Sequence, residues 1–83
     1  MAWVIAGQPD GAVPIVEQVY EIRDRRKGTF VGKIVSVSDN FAEVERIEGK
    51  IKWASHQNQI FVGSYPDVVS IRDSLCYLIE KGN

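Results

Sequence analysis

Nucleophile–base chemistry needs a reactive side chain with a proton acceptor in reach. His56 is the only histidine of this sequence and Cys76 its only cysteine. His56 falls beside an expected turn and Cys76 on an expected C-terminal helix, next to its core stripe, and these positions give them no reason to meet. A small cysteine in such a place reads as core filler. A structural zinc site takes four N or S ligands, which one His and one Cys cannot supply, so no metal and no cofactor is expected. Glu43 and Glu45 share one face of a candidate strand, about 6.5–7 Å apart, a spacing open to an acid–base pair. Lys52 is expected opposite Glu45, however, and a flat sheet offers no pocket. Gly28 and Gly32 fall in and after a hairpin tip, not before a helix, and form no phosphate loop. No catalytic residue is expected, and the chain reads as a non-enzyme.

Charge is the second chemical resource. Arg23, Arg25, Arg26, Lys27 and Lys33 cluster within eleven residues, with only Asp24 against them. Such a hairpin tip can meet phosphates, because bound Lys and Arg release counterions. The alternative function is therefore a nucleic-acid-binding module using this tip. The stretch 28–45 (GTFVGKIVSVSDNFAEVE) resembles the KOW-type strand–turn–strand of ribosomal and transcription proteins through Gly28, Phe30, Gly32, Ile34 and Val37. The resemblance spans under a quarter of the chain and lacks the spacing to a second glycine. It implies nucleic-acid binding.

Positioning these groups requires elements. Gly7-Gln8-Pro9-Asp10-Gly11 is a break that isolates a short N-terminal strand over 2–6. The run 15–24, rich in Val, Ile and Tyr, reads as a strand preceded by Pro14. Residues 25–28 form a loop. Strands are then expected over 29–38, 41–47, 50–56 and 59–63, separated by two-residue turns. That arithmetic places Val35 opposite Val44, Val44 opposite Trp53 and Trp53 opposite Val62, one apolar row with a spacing of nine. It also places Glu45 opposite Lys52 on the other face.

After 63 the period changes. Val68, Ile71, Leu75, Leu78 and Ile79 follow helical spacing. Ser64 with Asp67 resembles a capping box, Pro66 suits a first helical turn, and Gly82 suits a helix end. A helix is expected over 66–81, laid on the Val35–Val44–Trp53–Val62 face. The expected fold class is α+β: an antiparallel β-meander of four to six strands with one C-terminal helix packed on one face.

One helix does not hide all the apolar surface of such a sheet. Val19, Phe30, Ile34, Phe41, Ile47 and Phe61 are left for the other face, with Trp3 near it, and they call for a cover: the N-terminal segment 2–5 folded back over them, or a partner. The leading functional expectation follows: a small protein-binding or accessory protein, self-associating as a homodimer through Phe30, Ile34, Phe41, Ile47 and Phe61, with Trp3 near them. Small chains with thin cores gain disproportionately from a partner.

Bulk properties bound the rest. The chain has 83 residues and 9.3 kDa, ten basic and eleven acidic residues, 45% hydrophobic and 25% charged content. This is one globular domain, expected over 1–83. No apolar run approaches the roughly 18 residues of a membrane helix, and the N-terminus lacks a basic leader region. No membrane partner and a cytoplasmic location are expected.

Overall fold

The structure, a computed structural model, describes residues 3–9, 11–52, 56–62 and 76–81. Six strands form one sheet: β1 (Val4–Ile5), β2 (Val19–Asp24), β3 (Gly28–Val37), β4 (Phe41–Glu48), β5 (Gln59–Phe61) and β6 (Cys76–Glu80). Their order is β1-β6-β2-β3-β4-β5. β1 runs parallel to β6, and every other pair is antiparallel.

The α+β expectation is corrected. Residues 76–80, the end of the expected helix, are strand β6, seated between β1 and β2. Among the described residues there is no helix, and 66–75 lie outside them. Leu75, Leu78 and Ile79 have helical spacing, but 75–79 is also a continuous apolar run, which suits a strand as well. Pairing decides between the two. Leu78 stands opposite Ile22 and Cys76 opposite Asp24 on one side. On the other side Leu78 aligns with Ile5.

The core lies on one face of the sheet and draws on every strand. Alternation places Tyr20 and Ile22 of β2, Phe30 and Ile34 of β3, and Cys76 and Leu78 of β6 inward. Ala42 and Val44 of β4 join them, with Ile60 beside Ala42. Trp3 and Ile5 at the β1 edge belong to the same buried cluster as Val62 beyond β5. Burying a Val, Leu, Ile or Phe side chain contributes roughly 1.5–3 kcal/mol, so this continuous cluster is the main stabilising element.

The β3–β4 hairpin begins in the expected register. Ser38 N–H donates to the Phe41 carbonyl at 2.8 Å, and Val37 faces Ala42 and Ser36 faces Glu43. The next pair is Ile34 with Val44, so Val35 is the extra residue of a β-bulge. The expected Val35–Val44 pair is thereby corrected. A bulge shifts the faces by one residue, turning Ile34 inward and Val35 out. A second correction concerns β5. It pairs directly with β4, Phe41 facing Phe61 and Ala42 facing Ile60. Residues 50–52 form no strand between them; instead Lys52 N–H donates to the Lys27 carbonyl at 2.9 Å. Trp53, expected in that row, lies outside the described residues. Glu45 consequently stands opposite Lys33, not Lys52.

The fold-back toward Lys27 starts at Gly49, whose φ of 94° belongs to the left-handed region. A Cβ there would stand 3.0 Å from Phe30 Cα, so glycine is needed for both the turn and the close approach.

Candidate functional site

Two surface regions result from this arrangement. The first is built by a turn and a bulge. Gln18 N–H donates to the Ile15 carbonyl at 3.1 Å, closing a β-turn over 15–18. Glu17, its third residue, has φ 76°, a conformation suited to glycine that costs other residues roughly 1–2 kcal/mol. The turn is fastened to β3 on both sides of one residue. Glu17 N–H donates to the Ile34 carbonyl at 2.8 Å, and Ile34 N–H donates to the Gln18 carbonyl at 3.0 Å. The Tyr20 hydroxyl holds its start, accepting Ile15 N–H at 3.0 Å. Ile34 is also the residue before the bulge, so the turn lies beside Val35. Val13, Ile15, Val16 and Val35 are 54%, 59%, 48% and 46% exposed. Glu17 lies within this apolar group, and Glu43 borders it opposite Ser36. The sequence contains all four aliphatics, but a regular strand over 15–24 would have put Ile15 and Val16 on opposite faces. The Ile15–Gln18 turn and the Val35 bulge are what gather them.

The second region is the tip of the β2–β3 hairpin. Asp24 Oδ1 accepts Arg26 N–H at 2.8 Å and Lys27 N–H at 3.0 Å, which fixes the turn. The five expected cations differ in fate. Arg23 donates to Glu21 at 2.8 Å. Lys33 Nζ stands 3.9 Å from Glu45. Lys27 is fully buried. Arg25 is exposed and Arg26 half-buried. A basic stretch read by composition carries no information on which way each side chain turns. The fold also adds cations from another segment. The Lys52 stem lies against Gly28, 3.4 Å from the position a Cβ would take, and Lys50 precedes it on the exposed return from Gly49.

Of the six residues expected to face a partner, Trp3, Phe30, Ile34 and Phe61 are buried within the chain. Phe30 and Ile34 sit on the core face, because the extra residue Val35 turns them inward relative to the regular register. Phe61 packs against Phe41, ring centres 5.5 Å apart, and edge-on to His56 at 5.3 Å. Phe41 is half-buried, and Ile47 is exposed.

His56 and Cys76 occupy separate settings. His56 Nδ1 lies 3.2 Å from Gln59 Oε1, while Cys76 is buried opposite Asp24. Burial first, and then the Asp24 carboxylate, push the Cys76 thiol far above its ordinary range, against an opposing pull from Lys27. A thiol held neutral is a poor nucleophile. Glu43 and Glu45 are both exposed on the outer face. Among the described residues no group of three His, Cys, Asp or Glu is placed to hold a metal ion, and no helix is long and apolar enough to cross a membrane. No protein-family model, no curated protein and no solved structure matches the chain.

Proposed function

We propose that this chain is a small non-catalytic protein-binding module that pairs with a second copy through Val13, Ile15, Val16 and Val35. The observation that carries the reading is the strained Glu17 turn, fastened by two backbone hydrogen bonds, with apolar side chains held in water on either side of it. Local strain of this kind persists only where the surrounding structure enforces it, and it concentrates at functional sites. A two-fold arrangement needs only this one patch, because the same four side chains serve both partners.

Each aliphatic is about half exposed, so its burial contributes about 1 kcal/mol. Against the cost of association this gives a weak pair, with a dissociation constant on the order of 10–1000 µM. The reading places the chain in the cytoplasm, where a lone thiol stays reduced. Amide NMR over a dilution series tests it. Signals of residues 13–18 and 35 shift with concentration while those of the hairpin tip stay still. Concentration-independent spectra up to millimolar protein rule out the second copy as partner.

A further inference from the structure

The net charge of −1 conceals a separation of charge along the strands. Beyond the Ile22–Phe30 pair the described surface carries Arg23, Arg25, Arg26, Lys50 and Lys52. Of the described carboxylates around that end, Asp24 is buried, Glu21 is paired with Arg23, and Glu48 is exposed two residues before Lys50. At the other end Glu17, Asp39, Glu43 and Glu45 outnumber Lys33 and Lys81. The cations come from two segments more than twenty residues apart in sequence. The Lys52 N–H to Lys27 carbonyl bond and the contact of the Lys52 stem with Gly28 join them.

We infer that this basic end binds the phosphate backbone of duplex nucleic acid without reading its sequence. The composition of the two ends separates this from a protein contact. Protein interfaces have an apolar centre, whereas phosphate interfaces are polar and strongly positive. The most exposed aliphatic side chains of this chain, Val13 and Ile15, belong to the opposite end. Near the basic end the exposed apolar side chains are Tyr77 and Val4, the least exposed of their kind, and Ile47, two residues before Gly49. The Lys52 N–H to Lys27 carbonyl bond holds the 50–52 return beside the hairpin tip, so cations of both segments are presented together to a phosphate backbone. The inference is independent of self-association, which uses the other end.

Fluorescence anisotropy of a labelled mixed-sequence duplex of about 20 base pairs, titrated with the full chain from 20 to 200 mM salt, tests it. The expected result is a dissociation constant on the order of 1–100 µM at the lowest salt, and a slope of log affinity against log salt of about −2 to −4. Lys50→Glu and Lys52→Glu each weaken binding and flatten the slope by about one. Lys81→Glu, the same change of charge at the opposite end, leaves both unchanged. Lys50 is exposed, so its variant stays informative if Lys52→Glu disturbs the fold. Absence of binding at 20 mM salt overturns the inference. So does equal weakening by Lys81→Glu, which reduces the effect to net charge. Binding to anionic phospholipid vesicles with none to the duplex also overturns it.

Discussion

Ile34 stands opposite Val44 across β3 and β4, and its neighbour Val35 is the extra residue between that pair and Ser36–Glu43. One residue of offset thus separates a fully buried side chain from an exposed one. The same Ile34 exchanges two backbone hydrogen bonds with the Glu17 turn. Core register and surface patch therefore share one residue.

The bulge sets a contrast between two valines. Val44→Asp is expected to cost roughly 3–5 kcal/mol, because it buries an unpaired charge. Val35→Asp is expected to stay within about 0.5 kcal/mol of the parent, as surface changes do. Urea denaturation of both variants checks this. Equal losses would mean that Val35 and Val44 share a face.

The bulge also marks where the sequence stops being legible. A hairpin turn fixes pairing near itself, and residues 36–43 follow that rule. An inserted residue leaves no mark on a two-residue period, so the pairs of Ile34, Lys33 and Gly32 are displaced by one, until a second irregularity restores the Val31–Glu48 pair. Residues 76–80 were ambiguous for a different reason. A five-residue apolar run fits helix or strand, and what settles it is pairing with Ile22 and Ile5, more than fifty residues away. In the candidate site, the basic cluster was visible as composition. The burial of Lys27 and the arrival of Lys52 were not: the first depends on which way a turn side chain points, the second on the Gly49 fold-back.

Gly49→Ala is expected to destabilise the chain by about 2–3 kcal/mol. It combines a left-handed backbone with a contact on Phe30. The change in urea midpoint measures it, and a loss below about 0.5 kcal/mol would show that the Gly49 fold-back is not fixed this way.

Glu17→Gly is expected to stabilise the chain by about 0.5 kcal/mol. Relief of the left-handed strain exceeds the added flexibility of the unfolded chain. A lower thermal midpoint in Glu17→Gly would mean that the glutamate side chain makes the turn, against the account of strain.

Cys76 gives a pH dependence with a definite sign. Its thiol pKa is raised in the folded state from an ordinary value of 9.0. Below about pH 9 both states hold the proton and the stability is fully present. As pH rises further the unfolded chain releases the proton and the folded chain retains it. Stability then falls, by up to about 1.4 kcal/mol per pH unit. Denaturation from pH 8 to 10.5 should show a steeper decline for the parent than for Cys76→Ala. Parallel curves would contradict burial of the thiol.

Self-association through the apolar turn is the central claim, and its salt dependence is the most direct test. An apolar contact bordered by Glu17 and Glu43 on both copies carries like charges, which salt screens. Sedimentation equilibrium at two ionic strengths, about 50 and 500 mM, is expected to show an average mass above the 9.3 kDa monomer at high protein concentration. That excess should grow with salt and be absent in Val16→Asp. A mass that stays at the monomer value under all these conditions, or an excess that Val16→Asp leaves intact, would contradict the account.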